Sequence, residues 1–333
     1  TEEVQQFFDR VFIGYAEDEI AKTLGKRVPK DELIHPPIVF YTSFNNIKIV
    51  RQGVLFTNRG CNHRCNFCQT PSFCPKPYKI PLESIEKVLR YYKKIGVTEL
   101  IILDESFGLF RSHSEKVIDL LDKYNFYWMP LVRPDILNKS LEEWSKKGLI
   151  GVLTSIESFN QKTLDSIEKR EKIEETVSVI KKLKRMNKFI DGAYMLGFEN
   201  DTVSSLKKDL KKVAQLKMDI TQLCIVTPLP QTPQWNQIEE KYGIFDKDWH
   251  HYDAKHLVWN HPNISPEKMR EILHWGFKII NPKTKLLETS KGFLDRYIEK
   301  KGLKKGIGYM IRNFIQANAF NYTPKEMRLL PHR

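Results

Sequence analysis

Residues 57–71 read TNRGCNHRCNFCQTP and place three cysteines, Cys61, Cys65 and Cys68, within eight positions. This C-x3-C-x2-C loop directly follows an apolar run, VLFTN, that has the character of a buried β-strand. Three thiolates so close together can hold three corners of an iron–sulfur cubane and leave one iron without a protein ligand. The spacing therefore predicts a [4Fe–4S] cluster with an open iron, bound by these three cysteines.

Two other readings of the cysteine loop stay open at this point. Structural zinc sites usually combine two cysteine pairs, or cysteine with histidine, and the sequence contains no second pair. Electron-transfer clusters use four ligands, and Cys74, six residues after Cys68, is a candidate fourth thiolate. Cys74 is equally a candidate catalytic thiol near the cluster, or a bystander.

Apolar runs and amphipathic segments alternate six times between residues 53 and 241. The runs, which we predict to be strands, are 54–58, 100–104, 126–132, 150–156, 189–197 and 220–228. The helical patterns between them cover 82–96, 114–124, 140–148, 173–186 and 204–217, and a sixth follows Pro233. This alternation predicts right-handed βαβ units around a parallel sheet. Six units are too few for a closed eight-fold barrel, so we expect an α/β fold, an open (βα)6 partial TIM-type barrel, with a doubly wound sheet as the alternative.

Polar residues follow each predicted strand, at the sheet edge where parallel α/β folds gather their ligands. In chain order they are the cysteine loop, Asp104-Glu105-Ser106, Arg133-Pro134-Asp135, Glu157-Ser158, Gly197 through Asp201, and Thr227-Pro228-Leu229-Pro230. The carboxyl edge of the sheet is therefore the predicted site.

Length and composition exclude several classes of protein. The chain has 333 residues, 41% hydrophobic and 29% charged, which suits a globular protein of two domains or one large α/β unit. No apolar stretch approaches the roughly 18 residues of a membrane span, and the N-terminal residues lack an apolar signal core. The five cysteines are an odd number, and four of them lie between residues 61 and 74, which favours a reducing compartment over disulfides. We therefore expect a cytoplasmic location.

The net charge of +13 suits an anionic partner or a solvated, lysine-rich surface. No RNA-recognition motif or zinc-finger spacing accompanies it, so we expect no nucleic-acid partner.

The cysteine loop and three later segments resemble those of one enzyme family. TNRGCNHRCNFCQTP is similar to the signature loop of the radical S-adenosylmethionine (radical SAM) superfamily, and the resemblance covers residues 53 to about 241. Within it, SIESFNQKTLDSIEK (155–169), MLGFENDT (195–202) and TPLPQTPQW (227–235) resemble segments of the cobalamin-binding-domain class. The chain departs from that class at Asn62, Ser155 and Gln231, none of which is a predicted cluster ligand.

The resemblance implies two cofactors and a reaction. In this family the open iron binds the methionine part of S-adenosylmethionine (SAM), and one electron, from a donor such as ferredoxin or flavodoxin, cleaves SAM to a 5′-deoxyadenosyl radical. The implied activity is modification of an unactivated carbon, first of all C-methylation of a lipid, a tetrapyrrole or a natural product. Radical C–C bond formation or cyclisation is the alternative within the family, and a non-catalytic iron–sulfur electron-transfer protein is the alternative outside it.

The resemblance also implies contacts between SAM and strand ends. Phe67 matches the aromatic position beside adenine, with a plain core aromatic as the alternative. Asp104, Glu105 and Ser106 occupy the position that binds the methionyl amine, with a turn cluster as the alternative.

Further contacts follow from the later strands. Glu157 and Ser158 match contacts to SAM, where an acid could accept hydrogen bonds from ribose hydroxyls. Arg133 suits the SAM carboxylate, or else pairs structurally with Asp135. Gly197 would let the backbone approach adenine closely.

Two flanks complete the organisation. Residues 1–50 include FIGYAEDEIAKTLG (12–25), which resembles the last strand and helix of a cobalamin-binding domain. The D-x-H-x-x-G loop that would ligate cobalt is not in the sequence, so cobalamin is expected only if the full protein has an upstream domain. Residues 51–241 form the predicted core.

Residues 242–333 form a mainly helical extension that carries Tyr252, His256 and Trp259, either as a lid that touches substrate or as a structural aromatic plug. Basic and apolar residues alternate over 300–320, which suits peripheral contact with lipid or ordinary core packing.

Overall fold

The structure is a computed structural model that describes residues 5–12, 16–27, 37–44 and 47–282. Most of the predicted C-terminal extension, including the basic and apolar segment 300–320, lies outside these residues.

Strands and helices alternate along the described chain as the sequence pattern predicts. The strands are β1 (Ile38–Phe44), β2 (Ile47–Leu55), β3 (Asn58–Arg59), β4 (Tyr78–Lys79), β5 (Glu99–Ile102), β6 (Tyr127–Pro130), β7 (Gly151–Glu157), β8 (Phe189–Leu196) and β9 (Ile220–Ile225). The helices are α1 (Glu17–Thr23), α2 (Thr70–Phe73), α3 (Leu82–Lys94), α4 (Arg111–Lys123), α5 (Pro134–Lys146), α6 (Gln161–Ser166), α7 (Ile173–Arg185), α8 (Val203–Gln215), α9 (Pro233–Lys241) and α10 (Pro266–Ile280), with one 3-10 turn at Trp249–His251.

The larger strands pair in parallel and in chain order. β2, β5 and β6 form one parallel set, and β7, β8 and β9 form another. Two isolated parallel bridges connect the two sets. Trp128 of β6 pairs with Leu149, just before β7, and Leu131, just after β6, pairs with Leu153 of β7. The predicted α/β fold with parallel strands is thus confirmed.

The sheet begins earlier than the sequence analysis placed it. β1 pairs antiparallel with β2 from Ile38 opposite Val54 to Phe44 opposite Ile47. Both strands include residues that we assigned to the N-terminal flank, because the prolines at 36–37 and the alternating polar residues of β2 obscured the pattern. The short pair of β3 and β4 then brackets the cysteine loop, with Asn58 opposite Lys79.

Helix boundaries follow local rules of capping. α5 begins with Pro134 at its first position, six residues before the predicted start, because proline already has a helical φ and lacks only an N–H that the first turn does not use. α8 begins with a capping box between Thr202 and Ser205.

The core lies between the helices and the sheet. Trp128 of β6, Trp144 of α5 and Phe107 pack edge-on or tilted, with ring centroids 5.2 to 5.6 Å apart. α10 lies against α8 and β9, and Gly276 lets it approach, since a Cβ there would stand 2.9 Å from Leu223. None of the described helices is long and apolar enough to cross a bilayer.

Candidate active site

The cysteine loop turns sharply where it leaves the strand region. Gly60 has φ of +78°, and a Cβ at this position would lie 2.5 Å from Cys74 Sγ. Both the left-handed backbone and the close approach require glycine. Cys74 is buried, and its thiol faces the carbonyl oxygen of Lys76 at 3.6 Å. The structure thus places Cys74 beneath the start of the loop, where it packs against Gly60.

Asp104, after β5, holds the residues that lead into the loop. Its fully buried carboxylate accepts hydrogen bonds from the backbone N–H and the hydroxyl of Thr57 and from the backbone N–H and the side-chain amide of Asn58, at 2.5 to 3.2 Å. Burial raises the pKa of Asp104 to about 7, although these four donors favour the charged form. With both oxygens occupied by these donors, Asp104 positions the residues that lead into the loop.

Glu105 reaches the loop itself. Its Oε2 accepts a hydrogen bond from the backbone N–H of Gly60 at 3.0 Å, which places a carboxylate directly beside the cysteines. Ser106 is 1% exposed, and its hydroxyl has no hydrogen-bond partner within the described part of the chain. A buried hydroxyl without a protein partner requires one from a bound ligand or an ordered water. The end of β5 is therefore suited to receive a polar group.

Backbone hydrogen bonds at Asn66 connect the cysteine loop to two later elements. The N–H of Asn66 donates to the carbonyl of Ile167 at 3.1 Å, and the N–H of Gln234, at the start of α9, donates to the carbonyl of Asn66 at 3.0 Å. Within the loop, the N–H of Cys68 donates to the carbonyl of Cys65. Phe67 packs beside the small buried cluster that includes Phe198.

None of the three loop cysteines forms a disulfide. Cys65 is buried, whereas Cys61 and Cys68 are partly exposed. Burial raises the pKa of the Cys61 and Cys65 thiols above the ordinary value. The positive charge of Arg133 opposes this rise in both pKa values, and the charge of Lys169 opposes it in the pKa of Cys65.

We tested whether this donor set suits a metal. Across the described ranges no three His, Cys, Asp or Glu side chains converge closely enough for a single metal ion. A cubane binds each thiolate through a different iron, so its ligands lie further apart than those of one ion. Three thiols on one loop, none of them in a disulfide and with Arg133 and Lys169 nearby, therefore fit an iron–sulfur cluster better than a zinc ion.

A buried group of charges lies beside Cys65, and two of its members, Lys169 and Glu171, were absent from our predicted site list. Lys169 is 6% exposed, and its Nζ lies 2.8 Å from Glu157 Oε1, 3.1 Å from Ser155 Oγ and 3.8 Å from Glu171 Oε1. Burial lowers the pKa of Lys169, but Glu157 and Glu171 together raise it above its ordinary value. Lys169 is thus a charged ammonium held among carboxylates at the carboxyl end of β7.

Arg133 completes this group. Its guanidinium contacts Asp135 at 3.0 Å and Glu171 at 3.1 Å and donates to the carbonyl of Lys169 at 2.9 Å. The structural pair with Asp135, one of the two predicted roles of Arg133, is therefore present. Burial raises the pKa of Glu171 to about 7, against the opposing charges of Lys169 and Arg133.

The strand ends of β7 and β8 adopt unusual backbone conformations. Glu157 has φ of +60°, a costly value for a residue with a side chain, and Ser158 beside it is buried. Gly197 has φ of +87°, and a Cβ there would lie 2.7 Å from Met269 Cε of α10. The structure thus explains Gly197 by the approach of α10, independently of any adenine.

The predicted C-terminal contacts divide into two groups. Trp259 is completely buried and its Nε1 donates to the carbonyl of Val226 at 3.1 Å, which is the structural plug that we stated as the alternative. Tyr252 packs against both Trp249 and Trp235, with ring centroids 4.8 and 6.1 Å away, and Trp249 is 53% exposed. His256 is partly exposed on the same segment.

The segment that carries these side chains crosses the last parallel strand. The N–H of Ile225 in β9 donates to the carbonyl of Ala254, and Lys255 Nζ donates to the carbonyl of Leu223. The exposed aromatic group and His256 thus lie along β9, whereas the cysteine loop follows β2.

Comparison with known proteins places this site in a family. Residues 55–213 match the family described as the Radical SAM superfamily. The chain is 23% identical over 278 residues to the uncharacterized methyltransferase PH0819 of Pyrococcus horikoshii, covering 79% of this chain and 56% of that protein. It is 24% identical over 217 residues to bacteriochlorophyllide d C-8(2)-methyltransferase of Chlorobaculum tepidum, covering 61% of this chain and 48% of that protein. The chain thus spans about half the length of these relatives.

The fold is similar to that of a solved structure. The radical SAM methyltransferase TsrM from Kitasatospora setae, solved with cobalamin and a [4Fe–4S] cluster, superposes with a TM-score of 0.57 at 13% identity, covering 80% of this chain and 61% of that chain. The match of residues 55–213, the cysteine loop and this likeness of fold agree with the predicted resemblance. Residues 55–213 of this chain are a radical SAM domain.

Proposed function

We propose that this protein is a radical SAM enzyme that methylates an unactivated carbon of a tetrapyrrole or a comparable flat, largely apolar molecule. A radical SAM domain implies a [4Fe–4S] cluster and SAM as cofactors. The observation that carries the proposal is the loop of three uncombined cysteines, fastened by Asp104 and Glu105 at the carboxyl edge of a parallel sheet. The two parallel sets and the bridges between them support the expected open (βα)6 barrel.

Different residues at this edge would bind the cluster and the SAM molecule. Cys61, Cys65 and Cys68 would bind the cluster, which when loaded with SAM supplies the electron transfer and the radical. Glu105, beside the loop, would accept a hydrogen bond from the SAM ammonium, and the Ser106 hydroxyl is available next to it. These residues place the cofactor.

The charges near β7 would hold the other end of SAM. Glu157 and Ser158 lie where the ribose contacts are expected, and Lys169 fixes the position of the Glu157 carboxylate. Phe67 packs next to the Phe198 cluster, on the side of the loop expected to face adenine. Gly197 stays a proposed adenine contact at the end of β8.

The substrate class rests on two supports. Two of the similar proteins are named bacteriochlorophyllide d methyltransferases and two are named anaerobic magnesium-protoporphyrin IX monomethyl ester cyclases. In this chain, Trp249 is exposed and stacks on Trp235 with an interplanar angle of 20°. An exposed aromatic surface of this kind suits a flat apolar ligand. A small one-electron donor is the required partner. Cobalamin is proposed only for a full protein that has an upstream domain. We propose a cytoplasmic location.

The experiment that tests the proposal is anaerobic reconstitution with iron and sulfide followed by electron paramagnetic resonance of the reduced protein. We expect a [4Fe–4S]⁺ signal that changes when SAM is added, together with 5′-deoxyadenosine formed under reductant. Cys65→Ala should abolish the cluster, whereas Cys224→Ala on β9 is the matched control and should retain about four irons per chain.

The same experiment distinguishes an electron-transfer protein. Such a protein would show a signal that does not respond to SAM and that disappears in Cys74→Ala as well as in Cys65→Ala. That outcome would overturn the proposed activity.

A further inference from the structure

Two histidines on the segment after α9 each face an aspartate. His251 Nδ1 lies 2.6 Å from Asp246 Oδ2, and His256 Nδ1 lies 3.0 Å from Asp253 Oδ1. The two imidazole rings contact each other, with centroids 4.7 Å apart and an interplanar angle of 36°. Neither pair belongs to the cysteine loop or to the charge group at β7. We call these four residues the paired-histidine site.

The aspartates of the paired-histidine site are themselves held in place. Asp246 Oδ1 accepts the N–H of Asp248, and Asp253 Oδ1 accepts the N–H groups of Lys255 and His256, at 2.7 to 3.2 Å. The hydroxyl of Tyr252 also donates to the carbonyl of Asp246 at 2.9 Å. The carboxylates therefore cannot turn away without breaking these bonds, and each fixes the orientation of its imidazole.

The arrangement leaves the same ring atom available on both histidines. A neutral imidazole that donates from Nδ1 to a carboxylate presents a lone pair at Nε2. Within the described residues no hydrogen bond reaches Nε2 of His251 or of His256. The two side chains are 33% and 23% exposed, so solvent ions can reach them although the rings are held.

We propose that the paired-histidine site binds one divalent transition-metal ion of the zinc class through Nε2 of His251 and Nε2 of His256. Metal-binding histidines almost always donate their other ring nitrogen to a carboxylate or carbonyl, and imidazole suits zinc, copper, iron and nickel. The two ring centroids are 4.7 Å apart, a separation at which two imidazoles can ligate one ion. The two carboxylates add negative charge to a chain whose net charge is +13.

Two protein ligands leave coordination positions open. A closed structural zinc site uses four protein ligands, and within the described ranges no third His, Cys, Asp or Glu side chain completes one here. The remaining positions of the ion are therefore taken by water or by a donor atom of a bound molecule. The site lies beside β9, because the carbonyl of Ala254, next to Asp253, accepts the N–H of Ile225, and it is next to the exposed Trp249. An ion held there can take an oxygen or nitrogen ligand from a molecule stacked on that ring.

The test is a zinc titration of the anaerobically reconstituted protein, with Zn²⁺ alone as the probe. We expect one zinc per chain in addition to the cluster iron. His251→Ala and His256→Ala should each weaken zinc binding at least about 10-fold, and Asp246→Asn should weaken it by about 10- to 100-fold. His250→Ala is the matched control, because this exposed neighbour donates its backbone N–H to Asp248, outside the site, and the variant should bind zinc as the unchanged protein does.

X-ray absorption at the zinc edge of the unchanged protein supplies a second readout that needs no variant. Nitrogen ligands at about 2.0 Å would support the proposal, whereas sulfur ligands at about 2.3 Å would mean that zinc has entered the cysteine loop. Equal affinity in His251→Ala and His250→Ala, or no bound zinc at all, would also overturn it and leave the two pairs as loop supports. The cluster signal and its response to SAM are read independently, so either conclusion can fail without the other.

Discussion

Lys169 Nζ lies 2.8 Å from Glu157 Oε1, and the two side chains are 7% and 8% exposed. This ion pair joins the end of β7 to the connection after α6, the same connection whose Ile167 carbonyl holds the cysteine loop through Asn66. A buried charge is tolerated only when it is paired and hydrogen-bonded. The pair therefore couples the conformation of Glu157, with its φ of +60°, to the position of the cysteines.

Replacing Lys169 by methionine should destabilise the protein by about 3–5 kcal/mol, because it leaves Glu157 buried without its cation and Glu171 paired only with Arg133. Lys169→Arg restores the charge and should recover part of the loss. Lys268→Met is the control, since its ion pair with Glu271 is exposed and should contribute nothing measurable. Denaturant unfolding under anaerobic conditions measures all three. Equal losses for Lys169→Met and Lys268→Met would show that the buried pair contributes no more than a surface pair.

Gly60→Ala should disrupt the cysteine loop for two separable reasons. The left-handed backbone alone costs about 1–2 kcal/mol for alanine, and the new Cβ would also meet Cys74 Sγ at 2.5 Å. Gly25→Ala isolates the first cost, because Gly25 has φ of +67° and open space where the Cβ would be.

Iron content after reconstitution and unfolding free energy are the measurements for Gly60. Gly60→Ala should lose most of its iron and be less stable than Gly25→Ala, and the double variant Gly60→Ala/Cys74→Ala should recover part of both. If the double variant is no better than the single one, the contact with Cys74 is not the cause.

The sequence predicted those features that local patterns encode. Alternating apolar runs and amphipathic segments predicted the parallel strands and their helices, because a parallel sheet buried on both faces needs both patterns. Because ligands gather at the carboxyl ends of parallel strands, the sequence also predicted that Asp104, Glu105, Arg133 and Glu157 lie at one edge of the sheet. Whether these residues bind SAM stays a prediction.

Other features depend on tertiary contacts that no local pattern carries. Lys169 and Glu171 belong to the run EKREK, which resembles a solvated helix surface, yet both are buried because the connection after α6 folds inward beneath Arg133. Lys169 could have been identified from the sequence, because it is the last residue of SIESFNQKTLDSIEK, a segment that we had compared with the enzyme family. Trp259 and Trp249, ten residues apart in one aromatic segment, differ completely in burial, and the buried Trp259 donates to the carbonyl of Val226.

The two tryptophans should differ in their effect on stability. Trp259→Ala removes a completely buried side chain and should cost about 3–5 kcal/mol, whereas Trp249→Ala removes a ring that is 53% exposed and should cost far less. Thermal and denaturant unfolding of the two variants provide the comparison. Similar losses would mean that Trp249 also belongs to the core, and would remove one support for a flat substrate.

Asp201 allows a prediction whose sign is opposite to the usual one for acidic residues. Its carboxylate accepts the N–H groups of Gly197 and Phe198 through one oxygen, and burial raises its pKa from 3.8 to about 6 against these two bonds. Because the pKa is higher in the folded state than in the unfolded state, the neutral form is favoured by folding. The stability contributed by Asp201 is therefore complete below pH 3.8 and is lost as the pH rises through about 6, a total of about 3 kcal/mol.

Asp201→Asn should remove this pH dependence while keeping the structure. The amide oxygen of asparagine can accept the same two N–H groups, and no charge has to be buried at neutral pH. We expect the variant to be more stable than the unchanged protein at pH 8, and the difference to shrink by about half of that total on lowering the pH to 5. Unfolding free energies measured at several pH values between 5 and 8 decide this. A difference that does not change with pH would mean that Asp201 does not titrate in this range, and a less stable variant at pH 8 would mean that its charge, rather than only its oxygen, holds the turn at Gly197.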